Sequence, residues 1–305
     1  MSTPDPHCPC CKSANSVCLG ALPDSDWFAG RKLERPLAGG RLYRCEECHL
    51  KFRHPCESPD QYRELYDNAA THTWPADQLR SDWDLIVTQI SSLIPSGGKV
   101  LDFGCYAGGF LSRLDASHQR FGIEVNQEAA RVARVSAQAS VWGSIDDLPV
   151  DLRFDVIVIS DVIEHVYSPR DLLERLADRL ASNGAIIVTT GDGNATLWRT
   201  FGANWWYCFY PEHISFISKA WVEHALCKEG WNLISQELFR YRHPGLLMRS
   251  IELLFTCLYG FFPRAYLWIG NTLRTWMGRG ALTSVPGNGI TRDHLMVVLS
   301  RTVRE

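Results

Sequence analysis

The stretch that decides the fold is Lys99-Val-Leu-Asp-Phe-Gly-Cys-Tyr-Ala-Gly-Gly-Phe-Leu111. An apolar run ends in an acid, Asp102, and a turn interrupted by Gly104 and Gly108 follows. A second apolar run ends near Glu124, 20 residues after Gly104. A strand, a glycine-rich turn and an acid about 20 residues further on are typical of a nucleotide-binding turn in a doubly wound α/β sheet. The glycines let the backbone approach the ligand, and the second acid accepts hydrogen bonds from a ribose diol.

The acid in front of the turn distinguishes this stretch from most dinucleotide sites. Those sites usually read Gly-x-Gly-x-x-Gly around a pyrophosphate, whereas a carboxylate at Asp102 repels a pyrophosphate and suits a cationic ligand. The stretch resembles motif I of the class I S-adenosylmethionine (SAM) methyltransferases, commonly Leu-Asp-x-Gly-Cys-Gly-x-Gly. The resemblance implies SAM as the cofactor, bound by Asp102, Gly104, Tyr106, Gly108 and Glu124. Tyr106 stands where the family usually has its middle glycine, and a side chain there would crowd the cofactor.

Length and charge are those of an ordinary globular protein. The chain has 305 residues, enough for one large domain and a small one, and a net charge of −3. This acidic balance argues against broad electrostatic binding to nucleic acid. No apolar segment precedes the first cysteines, so we expect a cytoplasmic protein rather than a secreted one. In that compartment the 11 cysteines are expected to be metal ligands and free thiols.

Two Cys-x-x-Cys pairs predict a structural zinc site near the N-terminus. Cys8 and Cys11 form the first pair, and Cys45 and Cys48 form the second after a long loop. Four thiolates can surround Zn²⁺ as a tetrahedron, and such a site supplies folding energy that a short, polar segment lacks. Cys10 competes with Cys11 as a ligand, and the sequence does not decide between them.

The residues that follow the two pairs, Lys12 and His49, stand where glycine is common because the metal-binding turn needs positive φ. We therefore expect some strain in both turns. The segment resembles the small zinc-binding module found ahead of some bacterial methyltransferase domains, through Cys8-Pro-x-Cys11-x-Ser13 and Cys45-x-x-Cys48-x-Leu50-x-Phe52-x-x-Pro55. We predict a zinc ribbon over residues 1–60 and a methyltransferase domain over residues 61–305.

The remaining apolar runs predict a Rossmann-like three-layer sandwich. Phe154–Ser160 is a continuous apolar run, typical of a strand buried on both faces of a parallel sheet, and Ala185–Thr190 is another. Helical stretches alternate with the strands, and one is expected to begin at Phe110. Trp231–Phe239 and Asp293–Ser300 are predicted to pair as an antiparallel hairpin. The prediction is a mostly parallel seven-stranded sheet with a helical segment inserted before its last strand.

A turn after the third predicted strand is a second candidate for cofactor contact. Gly143–Pro149 looks like the adenine-binding turn of the family, in which an acid usually follows the glycine directly. Ser144 stands at that position here. Either Asp146 substitutes for the acid, or Ser144 and the backbone of Ile145 hold the adenine.

Acid and imidazole groups follow the fourth predicted strand. Ser160 and Asp161 lie at its carboxyl end, where open α/β sheets bind ligands, and are predicted to contact the cofactor. Glu164 and His165, with a later Pro-Glu-His213 segment, resemble the branch of SAM methyltransferases that includes quinone-biosynthesis O-methyltransferases and many glycan or small-molecule enzymes. Methyl transfer to a hydroxyl is helped by a base, and an imidazole suits that role near neutral pH. His165 and His213 are the two candidate catalytic bases.

The acceptor is not identified by these residues. Trp198–Tyr210 is dense in aromatic side chains, which predicts either a wall that stacks on a ring or sugar, or a lid packed on its own domain. Our interpretation is methyl transfer, O-methylation first, to a small-molecule or glycan-type acceptor. One alternative is an RNA base methyltransferase whose zinc ribbon binds RNA. Another is a non-catalytic binding protein, which Tyr106 and Ser144 would suit. The oligomeric state stays open.

Residues 240–290 exceed what a methyltransferase core requires. The segment holds six arginines and a single acid among many apolar residues. Leu247, Ile251, Leu254 and Leu258 follow helical spacing, which predicts one face buried against the core with the arginines turned outwards. We expect two helices that cap the site, with only a weak, salt-sensitive contact with an acidic membrane surface. A dimer interface is the other alternative.

Overall fold

The structure, a computed structural model, describes residues 6–67, 80–241, 245–277, 282, 285 and 291–301. The strands are β1 (Ser16–Ala21), β2 (Ser25–Phe28), β3 (Arg31–Leu37), β4 (Arg41–Cys45), β5 (Lys51–His54), β6 (Lys99–Phe103), β7 (Gln119–Ile123), β8 (Ser140–Trp142), β9 (Phe154–Ser160), β10 (Leu180–Gly191), β11 (Ser215–Phe216), β12 (Trp231–Phe239) and β13 (His294–Arg301). The α-helices are α1 (Pro59–Asp67), α2 (Ser81–Leu93), α3 (Gln127–Ser136), α4 (Pro169–Ala177), α5 (Thr196–Phe201), α6 (Lys219–Trp221), α7 (Leu246–Phe261) and α8 (Pro263–Trp276).

The large sheet has the predicted doubly wound organisation. Its strand order is β12-β13-β10-β9-β6-β7-β8. Neighbouring strands from β10 to β8 are parallel. β13 runs antiparallel to both β10 and β12, as predicted for the closing hairpin. The prediction of a Rossmann-like, mostly parallel seven-stranded sheet is confirmed.

Strand β9 at the centre of this sheet is apolar because both of its faces are covered. Val156 and Val158 share a buried cluster with Ile86 of α2 on one face. Ile157 and Ile159 belong to the buried cluster that contains the apolar side of α4. Each fully buried side chain of this kind contributes about 1.5–3 kcal/mol, so this strand anchors the sheet. Its carboxyl end is thereby fixed for the polar residues that follow.

The N-terminal module and the larger domain share a second sheet, ordered β1-β4-β5-β11. Its last strand, β11, belongs to the larger domain and pairs antiparallel with β5. Arg53 of β5 is almost fully buried and donates hydrogen bonds to the carbonyls of Gly39 (2.6 Å), Cys208 (3.0 Å) and Tyr210 (3.0 Å). Both the backbone and a buried cation therefore join the module to the main domain.

The helix expected at Phe110 is absent from this described part of the chain, and that prediction is wrong. A single 3₁₀ turn, Leu111–Arg113, replaces it, and Leu114 is already extended. Asp115 next accepts a hydrogen bond from the backbone N–H of Ser117 at 2.8 Å. Such local side-chain bonds compete with a helix. Leu111 and Leu114 are both buried, as they would be on one face of a helix. Their spacing therefore resembles that of a helix, although the chain makes only one turn here.

The two helices predicted within residues 240–290 are present, but the face predicted to be buried is wrong. α7 rests on Thr256, Tyr259 and Gly260, with Asn204 donating to the Gly260 carbonyl at 3.1 Å. A Cβ on Gly260 would lie 2.4 Å from the ring of Phe201, so glycine permits this close approach. The face predicted to be buried is exposed instead; its residues are Leu247, Ile251, Leu254 and Leu258.

No described helix is long and apolar enough to cross a membrane by itself. α7 and α8 reach the required length and hydropathy only when they are taken together across a bend of 118°.

Candidate active site

A cavity of about 780 Å³ lies at the carboxyl ends of β6, β7 and β9, the edge where parallel sheets bind ligands. The predicted site residues that line it are Asp102, Gly104, Tyr106, Glu124, Ser160, Asp161, His165 and His213. The other predicted site residues are not among the described residues of its lining; they are Gly108, Ser144, Ile145 and Asp146. The structure thus brings both candidate catalytic histidines and six of the ten predicted cofactor-binding residues around one space.

The turn after β6 has the backbone conformation that its glycines suggest. Gly104 has φ +84°, and a Cβ there would lie 2.5 Å from the side chain of Val162. Gly108 has φ +80°, and a Cβ there would lie 2.9 Å from Ala137, which follows α3, and 3.1 Å from Ala133 within it. Tyr106 has φ +43°, a left-handed conformation that costs a non-glycine residue about 1–2 kcal/mol. Tyr106 thus adopts a backbone conformation that a glycine would reach without this cost.

Two buried carboxyl groups lie together on the cofactor side of the cavity. The Glu124 carboxylate accepts hydrogen bonds from the backbone N–H groups of Tyr106 (2.8 Å) and Asn126 (2.7 Å). Each of its oxygens retains a lone pair for a ribose hydroxyl. Burial raises the pKa of Glu124. Burial and then the charge of Glu124 raise the pKa of Asp102 to about 7.

Sequence analysis missed a cation beside these acids. Arg80 donates hydrogen bonds to Asp82 (2.7 Å) and to Asp161 (2.6 Å). Arg80, Asp161 and Tyr241 line the cavity, whereas Asp82 does not. The hydroxyl of Tyr241 donates to Asp161 at 2.6 Å. Burial alone would raise the pKa of Asp161, but the charges of Arg80 and of a neighbouring histidine outweigh it and lower that pKa. An arginine before a helix is ordinary in sequence, so no local pattern indicates this role.

The predicted adenine-binding turn is formed, but away from the cavity lining. Ser144 caps a 3₁₀ turn by accepting from the N–H of Asp146 at 3.2 Å. Asp146 pairs with Arg175 at 2.8 Å, and Ile145 is buried. Adenine contact by these residues stays a prediction.

The two candidate bases lie side by side, with ring centroids 5.0 Å apart. The Nδ1 atom of His213 is 2.8 Å from the carbonyl oxygen of Tyr207, and the Nδ1 atom of His165 is 3.1 Å from that of Glu212. A carbonyl can only accept, so Nδ1 of His213 carries the proton and its Nε2 atom carries the lone pair. The carbonyl contact favours the same tautomer in His165. Tyr66 also contacts Nδ1 of His165 at 2.8 Å.

Burial disfavours the charged form of both histidines. Burial lowers the pKa of His165, and the nearby Glu212 opposes this shift. Burial lowers the pKa of His213 well below its ordinary value, and the charge of His165 lowers it further. A neutral imidazole with a free lone pair can take a proton.

Glu164 connects the histidine pair to the aromatic wall of the cavity. It is buried and accepts hydrogen bonds from the hydroxyls of Tyr207 and Thr190, the latter at 2.9 Å. Burial, followed by the charge of a nearby carboxylate, raises its pKa to about 7. Ligand atoms of Glu164, His165 and His213 lie within 4.8 Å of one another, so this group could also hold a metal ion.

One part of the aromatic segment is packed in the protein and another part lines the cavity. Trp198 and Trp205 are fully buried among apolar side chains of the two domains. Trp206, Phe209 and Tyr210 line the cavity instead. The segment is therefore a packed element at one end and a cavity wall at the other.

The N-terminal module supplies a wall that sequence analysis missed. The hairpin of β2 and β3 turns through Ala29 and Gly30, which both have positive φ. Ser25, Trp27, Ala29 and Gly30 all line the cavity. A two-residue turn of this kind is readable in sequence, but where the hairpin packs is not.

The four predicted zinc ligands converge. Ligand atoms of Cys8, Cys11, Cys45 and Cys48 lie within 4.8 Å of one another, whereas Cys10 is outside this group. The Sγ atoms of Cys8 and Cys48 are 3.5 Å apart, and those of Cys11 and Cys45 are 3.4 Å apart. A tetrahedral Zn²⁺ with bonds of about 2.3 Å needs sulfur separations of about 3.8 Å, so this set of thiols fits zinc.

The two residues that follow the cysteine pairs have the backbone expected of them. Lys12 has φ +64° and His49 has φ +62°. The prediction of positive φ at both turns is confirmed. Each turn accordingly carries the strain of a non-glycine residue.

The chain has curated relatives over part of its length. It is 33% identical over 108 residues to the mitochondrial ubiquinone biosynthesis O-methyltransferase of Schizosaccharomyces pombe. This match covers 31% of this chain and 38% of that protein. It is 33% identical over 122 residues to the ubiquinone biosynthesis O-methyltransferase of Bradyrhizobium diazoefficiens (37% and 46%). It is 30% identical over 136 residues to the tRNA U34 carboxymethyltransferase of Vibrio campbellii (39% and 42%). The chain thus spans less than half the length of these relatives.

Solved structures and a family match complete the comparison. A SAM-dependent methyltransferase of Thermotoga maritima is 18% identical, covering 72% of this chain and 89% of that one, with a TM-score of 0.45. An N-methyltransferase of Bradyrhizobium japonicum is 14% identical (72% and 97%), with a TM-score of 0.42. Residues 76–236, more than half of the chain, match the family described as methyltransferase domain. The chain belongs to this family, within the class I SAM-dependent methyltransferases.

Proposed function

We propose that the protein transfers the methyl group of SAM to a hydroxyl of a small, ring-containing acceptor. One observation carries this proposal: the motif I acids and the histidine pair line the same cavity. A cofactor held at Glu124 and Asp102 and an acceptor held at His165 and His213 would therefore meet inside it. The similarity to O-methyltransferases that act in ubiquinone biosynthesis supports a phenolic acceptor.

The cofactor half of the cavity fits SAM in charge and in shape. Two buried carboxyl groups, Asp102 and Glu124, suit a molecule that carries a sulfonium and a diol. Arg80 lines the same space and supplies a cation for a carboxylate. When bound, SAM supplies an electrophilic methyl group on sulfur. The protein then has to position the acceptor and exclude water, because the displacement is in line.

His165 is the better placed of the two candidate bases. A general base works best when its pKa lies near the working pH. Burial lowers the pKa of both histidines, but Glu212 counteracts the shift at His165. In the reaction the acceptor oxygen bonds to the methyl carbon, the carbon–sulfur bond breaks, and the hydroxyl proton moves to Nε2 of His165. Nδ1–H stays on the carbonyl of Glu212 and keeps the ring oriented.

The ring wall of the cavity favours an aromatic or otherwise flat acceptor. Trp27 from the N-terminal hairpin and Trp206, Phe209 and Tyr210 from the aromatic segment surround the acceptor side. Aromatic faces stack on rings with a gain of about 0.5–1.5 kcal/mol for each well-placed pair.

Single-turnover methylation of a panel of catechols and phenols tests the proposal. SAM binding is measured first by calorimetry on the same protein. We expect His165→Gln to lower the rate about 10²–10⁴-fold while SAM affinity stays within twofold of the parent. His213→Gln reports on the neighbouring ring with the same readouts. If neither variant changes turnover of a confirmed hydroxyl acceptor, neither histidine is the base.

An RNA acceptor is the second candidate, because a tRNA carboxymethyltransferase is among the similar proteins. The net charge of −3 counts against it. RNA binding through phosphates weakens steeply with salt. A tight, salt-dependent affinity of the full chain for tRNA would favour this candidate over a small-molecule acceptor.

We also propose that the four converging cysteines hold one structural Zn²⁺. Their ligand atoms all lie within 4.8 Å of one another, and three of the four residues are buried. Elemental analysis of the purified protein should find zinc in a one-to-one ratio. A metal-free protein that unfolds at the same temperature as the purified one would remove the proposal.

A further inference from the structure

The helical pair α7–α8 presents an apolar surface for which the proposed reaction has no use. Of the 22 large apolar side chains exposed in the described residues, 15 lie between Leu246 and Met277. Leu247 is 77% exposed, Trp268 is 71% exposed and Trp276 is 88% exposed. Scattered exposed apolar residues are ordinary, but a contiguous concentration marks an interaction surface.

Helix α7 is oriented opposite to the way a surface helix is normally oriented. On α7 the side buried against the protein carries Thr256 and Gly260, whereas Leu247 and Leu254 face outwards. Arg249 and Glu252 of α7 are partly covered rather than fully exposed. A helix in water normally turns its apolar stripe inwards and its charges outwards.

None of the described residues of α8 is fully buried, and its Arg264 is exposed. Arg274 and Asn271 are partly covered, whereas Trp268, Ile269 and Trp276 are exposed. This polarity suits an apolar medium outside the protein.

The positive charge of the two helices indicates which apolar partner suits them. The described helices hold three arginines, Arg249, Arg264 and Arg274, against one acid, Glu252, in a protein whose net charge is −3. A basic, apolar helical surface with tryptophans at its edge is the composition of helices that lie in the interface of an anionic membrane.

Neither helix of the pair is long and apolar enough to cross a membrane by itself. α7 has 16 residues and α8 has 14, and they are bent by 118°. A spanning helix needs about 20 apolar residues. The pair is therefore suited to lie within one leaflet.

We propose that α7 and α8 insert their outer face into the surface of an anionic lipid bilayer. The inner side of α7 contacts the aromatic segment through Phe209 and Tyr259, whose ring centroids are 6.4 Å apart, and Phe209 also lines the cavity. Insertion thus places one wall of the cavity next to the membrane. The inference concerns binding and does not depend on the proposed reaction.

Vesicle flotation with the full chain tests the proposal. The vesicles are phosphatidylcholine alone and phosphatidylcholine mixed with phosphatidylglycerol, each in low and in high salt. We expect flotation with the anionic vesicles that weakens in high salt but persists, because burial of the apolar face is not screened. Arg264→Gln should lower the preference for phosphatidylglycerol about fivefold.

A pair of double variants isolates the apolar face. Leu247→Glu with Trp268→Glu should lower the partition coefficient about a hundredfold, because two side chains lose burial in lipid. Val135→Glu with Val150→Glu is the matched control, since both valines are exposed elsewhere (74% and 78%). Neither pair removes buried residues, and thermal melts of both variants check that they fold.

Three results would overturn the proposal. The parent could fail to float with anionic vesicles, or the Leu247 and Trp268 double variant could float as well as the parent. Sedimentation without vesicles could show a dimer that dissociates in this variant, which would make the apolar face an interface between two copies of the chain.

Discussion

SAM affinity should rise with pH through neutrality because of Asp102. This carboxyl group is buried beside Glu124, and burial and that charge raise its pKa to about 7. A cationic cofactor favours the ionised carboxylate, so binding has to remove the proton first. As pH rises through the folded-state pKa, the binding-competent fraction grows and the apparent affinity increases.

The magnitude follows from that pKa. With a pKa of about 7, roughly a tenth of Asp102 is ionised at pH 6 and nine tenths at pH 8. The dissociation constant should therefore fall about tenfold between these two pH values. Stability without ligand has the opposite sign. Between about pH 4 and pH 7 the folded chain retains a proton that the unfolded chain has lost, so stability falls as pH rises.

Isothermal calorimetry in buffers of different ionisation enthalpy measures both the affinity and the proton release. Asp102→Asn should bind SAM more weakly at pH 8 and lose most of the pH dependence that the parent shows. This comparison also removes the titration of the amine of SAM itself. Glu164→Gln is the control, because its pKa is also raised to about 7 but it lies on the acceptor side. A parent with equal affinity at pH 6 and pH 8 would refute the reasoning.

Three further predictions concern the cofactor, the metal and the joint between the domains. Glu124→Ala should weaken SAM binding about ten- to a hundredfold, because the loss of charge-assisted hydrogen bonds costs about 1.5–3 kcal/mol. Glu128→Ala, on the exposed side of α3, is the control and should leave SAM affinity unchanged. Equal affinities of the two variants would show that Glu124 points elsewhere. Cys11→Ser should lose zinc by elemental analysis and Cys10→Ser should keep it, and the reverse result would assign Cys10 as the ligand. Arg53→Met should lower the free energy of unfolding by about 3 kcal/mol or more, because it leaves buried carbonyls without a donor. Urea unfolding measures this loss, and a cost below about 1 kcal/mol would contradict the role given to Arg53.

The parts of the fold that sequence predicts well are those set by local burial. A strand covered on both faces has to be apolar throughout, so β9 is visible in sequence without any tertiary information. The turn after β6 is visible for a similar reason, because Gly104 and Glu124 are placed by two adjacent strands, β6 and β7, in fixed register. The convergence of the four cysteines is visible in sequence because metal geometry restricts the spacing of a ligand set.

The parts that sequence misses depend on contacts between distant elements. Arg80 reaches Asp161 and Tyr241 across 81 and 161 residues of chain. The spacing of Leu247 and Leu254 indicates an apolar face correctly, but not which medium covers it. A face that packs on a protein core and a face that contacts lipid have the same periodicity. In α7 the burial of Thr256, Tyr259 and Gly260 shows which face packs on the protein.

The N-terminal module is best understood as part of the active site. Arg53 also donates to the carbonyl of His213 at 3.2 Å, so the module holds the backbone of one candidate base. Tyr66 of α1 bonds His165 at 2.8 Å and packs on Phe28 of the hairpin, with ring centroids 5.0 Å apart. Trp27 of the same hairpin lines the cavity. The proposed zinc ligands lie at the carboxyl end of β4 and in the loop before β1, so zinc binding there would stabilise the segment that positions both histidines. The surface of the module that faces the cavity is therefore already in contact with the main domain. This is a structural reason to favour a small acceptor over RNA.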